Sequence, residues 1–200
     1  MTGIAIGRLL RAGTTGFVLG CRVSEAEAPE FGSLVRVPQP GAYQVYGIIH
    51  DIHIDDDGLV RQLVTAEGVD EAIIADNRVN RNVPIEMSVL ALGYALDGQI
   101  RHLLPPHPPL SLDRIFTCGP QELCTFTGND NFGYFRHILR AAELPVGELL
   151  AVHIEQAQAA HAAAGDPEWA NRATRELITL LRDDYPLLMS VLDALADCKL

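Results

Sequence analysis

The stretch YQVYGIIHDIHIDDDG, residues 43–58, decides the class of fold. Its first twelve residues are rich in β-branched side chains and alternate with a period near two, which is the pattern of a half-buried β-strand. The DDDG run that follows has hairpin-turn chemistry, because Gly58 accepts a positive φ. We therefore predict a half-buried hairpin whose first strand is residues 43–54.

Five further segments up to residue 96 show the same periodicity. They are IAIGRLL, GFVLGCRV, SLVRV, LVRQLVT and IEMSVLALGYAL. Glycines and prolines separate them at short intervals, as in AGTTG and PQPGAY, which is typical of a small antiparallel barrel rather than of strands alternating with helices. We predict six strands. Residues 69–84, between the fifth and sixth predicted strands, contain residues typical of polar turns. Whether this segment also contains a short helix is left open.

The run LLPPHPPL, residues 103–110, interrupts this pattern. Prolines cannot donate ladder hydrogen bonds and favour an extended path, so we expect the barrel to end here. A stiff linker is the favoured interpretation of the segment, and a docking ligand for a partner is the alternative.

Helical patterns begin after Cys118. Pro120 stands where a first helical turn tolerates it, and Asp166 followed by Pro167 predicts a helix start. Apolar residues then recur at helical spacing; they are Trp169, Ala173, Leu177, Leu180, Leu181, Leu188, Val191, Leu192 and Leu195. The predicted fold is α+β: a six-stranded antiparallel β-barrel over residues 1–118 and a helical bundle over residues 119–200.

Composition and charge restrict the function. The 200 residues are 48% apolar, enough for a packed core, and 26 acidic against 15 basic side chains give a net charge of -11. This charge opposes binding to a polyanion. Lys199 is the only lysine, so a P-loop is excluded. A nucleic-acid-binding barrel, the last of three functional hypotheses, would need a basic stripe made of Arg8, Arg11, Arg22 and Arg36.

The cysteines are Cys21, Cys118, Cys124 and Cys198. Their spacing matches neither a secreted disulfide scaffold nor a zinc ribbon, which favours thiols in a reducing compartment. The start of the chain is too poor in apolar residues for a signal peptide, and no apolar stretch is long enough to predict a transmembrane helix. We therefore expect a cytoplasmic protein.

The histidines and aspartates of residues 50–57 raise the question of a metal site. In a regular strand His50 and His53 face opposite sides, and His50 shares its side with Ile48, Ile52 and Ile54. The other side carries Asp51, His53 and Asp55, whose neighbours are about 7 Å apart. A calcium-loop template fails, because Val64 stands at the position of the bidentate glutamate. Metal binding stays open but disfavoured, and a metal-dependent hydrolase or nuclease using His50 to Asp57 is the second functional hypothesis.

Other chemical candidates are weaker. His153 and His161 share one face of a helix beginning near Pro145, but about 12 Å separates them. Cys118 and Cys124 could pair with His137 as nucleophile and base, yet no glycine framing marks either thiol. The aromatic residues of FTGNDNFGYFRHIL, residues 126–139, are better explained by core packing than by stacking on bases. We predict no catalytic residue and no cofactor.

Three segments carry a family resemblance: IAIGRLL at residues 4–10, YQVYGIIHDI at 43–52, and VLALGYAL at 89–96 with the proline-rich exit and FTCGPQEL at 116–123. Over about residues 1–125 the chain resembles the HAS barrel, which the HerA-type DNA-processing ATPases share with the subunits of ATP synthase. The resemblance implies a non-catalytic collar that helps subunits assemble into rings. Since the sequence carries no P-loop, it implies the stand-alone form without the ATPase core.

The leading hypothesis is a non-enzymatic assembly or adaptor protein. No catalytic constellation survives inspection, and the C-terminal leucine stripes offer apolar surface to a partner helix or to a second copy. We expect a protein partner or self-association, with a DNA-processing ATPase as a candidate partner. We expect no membrane association and no direct contact with nucleic acid.

Overall fold

The computed structural model describes residues 3–21, 29–54 and 85–198. In these ranges the chain forms seven strands: β1 Ala5–Ala12, β2 Gly16–Cys21, β3 Leu34–Gln39, β4 Tyr43–Ile54, β5 Ile85–Leu96, β6 Gln99–Arg101 and β7 Arg114–Thr117. The strand order is β2-β1-β7-β3-β4-β5-β6, and β2 also pairs with β5. Six strands therefore close into an antiparallel barrel, and the short β6 extends one edge of β5.

The predicted six-stranded antiparallel barrel with C-terminal helices is confirmed, but one of its strands differs. The predicted strand at residues 59–65 lies outside the described ranges, and so does the segment 69–84 with its open prediction of a short helix. The sixth strand of the barrel is β7, which pairs with β1 on one side and with β3 on the other. The prolines therefore do not end the barrel; they lead from β6 to the strand that closes it. With four residues, β7 is too short for its periodicity to predict it.

The barrel interior is filled by side chains that alternate inward along the strands. This core consists of Ile6, Leu9, Phe17, Leu19, Cys21, Val35, Val37, Val45, Ile49, Met87, Val89 and Ile115. The long strand β4 shifts its pairing with β5 twice, once between Tyr46 and Gly47 and once between Ile49 and Asp51. Such bulges bend a strand and so allow it to follow the curvature of a closed barrel.

Five helices follow the barrel: α1 Pro120–Thr127, α2 Phe135–Leu139, α3 Val146–Ala163, α4 Trp169–Leu180 and α5 Tyr185–Ala196. Pro120 lies in the first turn of α1, as predicted. The predicted capping role of Asp166 is wrong, since α4 begins after Glu168 without a side-chain cap. The Asp166 carboxylate instead binds the Arg172 guanidinium with both oxygens, at 3.0 and 2.6 Å. No described helix has both the length and the apolar character needed to cross a membrane.

A second core joins the helices to the outer surface of the barrel. Tyr46, Ile48 and Leu92 contribute the barrel side of this core. The helical side includes Phe126, Tyr134, Phe135, Ile154 and Trp169, all almost completely buried. Polar contacts support the same interface: the Arg36 Nε donates to the Glu122 carboxylate at 2.9 Å. The helical part thus packs on its own barrel.

Candidate functional site

His50 is the extra residue of the second bulge in β4. Ile49 pairs with Val89 and Asp51 pairs with Ser88, which leaves His50 without a partner residue on β5. The predicted register of His50 is therefore wrong: Ile48 lies under the helices, whereas Ile52 pairs with Met87, whose side chain lies inside the barrel. One inserted residue reverses the alternation on which the prediction depended. His50 is half-buried, and this burial lowers its pKa.

The face of the barrel that holds Asp51 and His53 is polar and open. Asp51 pairs with Ser88, Ser88 with Val18, and Val18 with Arg11, so these side chains form one row across four strands. A second row consists of His53, Glu86, Gly20 and Arg8. Asp51 and His53 therefore share a face, as predicted, with arginines at the β1 edge of that face.

This arrangement does not assemble a metal site from the described residues. In residues 3–21, 29–54 and 85–198, no three His, Cys, Asp or Glu side chains are grouped so that they could hold an ion. Asp55, Asp57 and Val64 lie outside the described ranges. The hydrolase hypothesis stays a prediction.

Two open recesses adjoin His50 where the barrel meets the connection from α2 to α3. The first has a volume of about 510 Å³ and is lined by Arg11, Val18 and Ser88 among others. The second has a volume of about 520 Å³ and includes Asp51. His50 and Leu144 line both. Among the described residues that line the two recesses, no acidic side chain is hydrogen-bonded to a histidine.

The arginines named for nucleic-acid binding do not form one stripe. Arg8 and Arg11 are both exposed on β1. Arg36 is withdrawn from solvent, because it pairs with Glu122 and its guanidinium lies 5.0 Å from the centre of the Phe116 ring. Arg22 lies outside the described residues. Of the four arginines named for this stripe, only Arg8 and Arg11 are thus described as exposed, which is a weak match to a phosphate backbone in a chain of net charge -11.

The thiols near the helices are poor nucleophiles. Burial, together with Glu122, raises the pKa of Cys118 well above its ordinary value. Burial also raises the pKa of Cys124. Since the thiolate is the reactive form, a raised pKa disfavours a nucleophilic role for either thiol near neutral pH. His137, the proposed base, places its Nε2 3.1 Å from the His102 carbonyl oxygen.

The two helix histidines have separate structural roles. His153 is fully buried, and its Nδ1 lies 3.2 Å from the Gly32 carbonyl oxygen. The His161 ring stacks on Trp169 with 4.7 Å between centroids, and its Nε2 lies 2.8 Å from the Thr127 Oγ1. The Asp166 carboxylate is 3.7 Å from the other ring nitrogen of His161.

The Thr127, His161 and Asp166 side chains stand in the order of a nucleophile, base and acid, which the sequence did not indicate. Thr127 has no exposed surface, however, and its Oγ1 donates to the Leu123 carbonyl oxygen at 2.8 Å. A nucleophile must reach its substrate, so this group is a hydrogen-bonded support between α1 and α3 rather than a catalytic triad.

The proline-rich segment presents leucines to solvent. Leu103 and Leu104 are 53% and 45% exposed, and Leu110 and Leu112 are 68% and 67% exposed. The backbone around them is held in place, because Leu112 N donates to the Leu9 carbonyl oxygen at 2.9 Å. We call residues Leu103 to Leu112 the leucine segment. The run LLPPHPPL already placed leucines beside prolines in the sequence. Because the segment was interpreted as a linker, the exposure of its leucines was not predicted.

The last helix has a second exposed apolar surface. Tyr185 is 68% and Met189 is 36% exposed, and Ala196 is also exposed. The predicted stripe of Leu188, Val191, Leu192 and Leu195 packs inward on the core between the barrel and the helices. The signal for the outer surface was the occurrence of apolar residues on both sides of the helix.

No protein-family model matches the chain, and no curated protein matches it.

Proposed function

We propose that this protein is a non-enzymatic assembly or adaptor protein that contacts a protein partner through the leucine segment. The observation that carries this proposal is the exposure of four leucines within ten residues, on a backbone that is hydrogen-bonded to the barrel. Large apolar side chains that stay exposed close together in the sequence are a feature of contact sites on soluble domains.

Hydrogen bonds to the barrel hold the leucine segment in one conformation, which supports a binding surface rather than a flexible linker. The Tyr43 hydroxyl donates to the His107 carbonyl oxygen at 3.1 Å. The Asp113 carboxylate accepts from the Leu110 amide at 2.7 Å and from the Gln39 side chain at 2.6 Å. Arg8 donates to the Leu112 carbonyl oxygen at 2.8 Å. These contacts limit the conformational entropy that binding would otherwise remove.

Leu112 also adopts a backbone conformation that leucine rarely takes. Its φ is 71°, and the left-handed region costs an L-residue roughly 1–2 kcal/mol. Strain of this kind persists where the surrounding contacts enforce it, and it is concentrated at functional positions. Together with an exposed side chain, it supports a role for Leu112 outside the folded core.

The class of partner follows from charge and from the resemblance. The net charge of -11 disfavours a polyanion. The resemblance to the HAS barrel implies a ring-forming DNA-processing ATPase as the candidate partner, in line with a non-catalytic role for the barrel. Fold alone does not assign function, so the proposal depends on the leucine segment.

Site-specific photo-crosslinking tests the proposal. A photoreactive amino acid replaces exposed Ser111, between the two most exposed leucines, in cells that produce the protein; the control position is exposed Ala163 on α3. We expect a discrete cross-linked protein at position 111 that disappears in the L110S/L112S double variant. Light scattering of the purified protein, with bound metal assayed on the same sample, distinguishes a self-associated chain from a different partner. No product above the level of the Ala163 control, or a monomer with stoichiometric metal, would contradict the proposal.

A further inference from the structure

The helix α5 is apolar around nearly its whole circumference. Ten of its twelve residues carry apolar or aromatic side chains, and Ser190 and Asp193 are the exceptions. A helix of this composition is normally buried on all sides. In α5, however, Val191 and Leu195 are the residues counted as buried.

The inner side of α5 packs closely on α3. Val191 and Leu195 belong to the core between the barrel and the helices, and Leu188 packs against it. The approach of the two helices is tight, since a Cβ on Gly147 would lie 3.0 Å from the Ser190 carbonyl oxygen. This contact fixes the rotation of α5 and therefore which residues it turns outward.

The outer side of α5 carries a second stripe. Tyr185, Met189, Leu192 and Ala196 follow one another at intervals of four, three and four residues. Of these, Leu192 is partly buried and also packs against the inner core, so it lies at the edge of the stripe. This is the spacing of the seam of a coiled coil, in which each side chain enters a hole on a facing helix. We call these four residues the outer seam. It covers about three helical turns, and the described part of the chain leaves Tyr185 68% and Met189 36% exposed.

The charges beside the outer seam are mostly acidic. Asp193 follows Met189 by four residues and Asp197 follows Asp193 by four, so both lie along one flank of the seam. Asp183 and Asp184 stand at the start of the helix, where Arg182, the one cation among residues 181–198, lies 3.3 Å from Asp183. A second copy of this chain would bring aspartates against aspartates.

We infer that the outer seam of α5 docks an amphipathic helix of a partner protein whose apolar stripe is flanked by lysines or arginines. The apolar stripe of the partner fills the seam, and its basic flank meets Asp193 and Asp197. The inference extends the proposed function, since an adaptor needs two contact surfaces, but it uses a surface separate from the leucine segment.

A designed peptide tests this inference on the full-length chain. The probe is a fluorescein-labelled amphipathic helical peptide with leucine at its seam positions and lysine at the flanking positions; the matched control peptide has glutamate at those flanks. Fluorescence anisotropy at several salt concentrations measures both. We expect saturable binding of the basic peptide and at least tenfold weaker binding of the acidic one.

Two variants distinguish binding of the peptide at the outer seam from nonspecific attraction between the basic peptide and the acidic protein. M189E should reduce the affinity for the basic peptide at least tenfold, and D193K/D197K should reverse the preference between the two peptides. Met189 and the two aspartates are not in the buried core, so circular dichroism should show unchanged folding. L110S should leave the affinity unchanged, because the leucine segment is a different surface.

Two results would overturn the inference. One is binding of the basic peptide that M189E does not weaken. The other is a dimer of the protein, detected by light scattering, that M189E converts to a monomer, since a second copy would then occupy the seam. Either result leaves the crosslinking test at Ser111 untouched, so the failure of this inference is distinguishable from failure of the proposed function.

Discussion

The His153 side chain on α3 binds the Gly32 backbone between β2 and β3, with 3.2 Å from the imidazole Nδ1 to the carbonyl oxygen. A carbonyl only accepts, so Nδ1 carries the proton and the fully buried ring is the neutral tautomer with an unprotonated Nε2. This hydrogen bond joins α3 to the loop between the barrel strands β2 and β3.

The buried state of His153 makes stability depend on pH. Burial lowers the pKa of His153 from 6.5 to about 4, so between these values the unfolded chain binds more protons than the folded one. Stability from this group is therefore complete above about pH 6.5 and is lost as the pH falls towards 4, by roughly 3 kcal/mol in total. Urea denaturation from pH 4.5 to 7.5 should show the free energy of unfolding rising with pH.

The variant H153L should flatten that dependence while lowering stability at neutral pH, because the bond to Gly32 is lost. H107Q, a change at an exposed histidine, should leave the slope as it is in the wild type. A slope that is the same in H153L and in the wild type would contradict the assignment.

Gly32, whose carbonyl oxygen accepts the hydrogen bond from His153, has no room for a side chain. Its φ is 81°, and a Cβ would lie 2.9 Å from the Val152 Cγ1. Gly41 has a similar φ of 76° but nothing within 4 Å of its Cβ position. G41A should therefore lose roughly 1–2 kcal/mol for the backbone alone. G32A should lose more, and urea denaturation of the two variants measures the difference; equal losses would show that α3 moves aside freely.

Leu112 should tolerate glycine better than its neighbour does. Its φ of 71° strains leucine, and glycine relieves that strain. We expect L112G to be about 1 kcal/mol less destabilising than L110G, although both remove an exposed leucine. Thermal or urea denaturation of the two variants provides the comparison. If L110G were the milder change, the strain at Leu112 would have no energetic consequence.

Arg36 should resist replacement by lysine. Its Nε donates to Glu122 at 2.9 Å while the guanidinium lies over Phe116, and an ammonium group cannot reproduce both contacts. The Tyr46 hydroxyl donates to the other Glu122 oxygen at 3.1 Å. R36K should cost about 1–2 kcal/mol of unfolding free energy, measured by denaturation. R175K, at an exposed arginine of α4, should stay within about 0.5 kcal/mol of the wild type; the same value for both variants would refute the assigned role of Arg36.

Local patterns predicted those elements whose side chains repeat over a long stretch. The strands that became β1, β2, β3, β4 and β5 each have enough alternating residues to be recognised, and α4 has a clear apolar stripe. The strand β7 has four residues and exists because β1 and β3 leave a gap between them, which is a relationship between distant parts of the chain.

The two candidate contact surfaces, the leucine segment and the outer seam of α5, were also only partly predictable from local sequence. The composition of LLPPHPPL and of α5 indicated apolar segments, but their exposure depends on what packs beside them. The role of His153 was also invisible in the sequence, since Gly32 is far from it along the chain.

By itself, the sequence determined the α+β class, the antiparallel barrel, the helical C-terminal part and the acidic character, because period, turn residues and charge are local properties. Only the tertiary structure decided that the barrel closes through β7, that a bulge at His50 reverses the register, and which side of α5 faces outward. Each of these depends on hydrogen bonds or packing between residues far apart in the chain, and such pairings leave no periodic trace in a single segment.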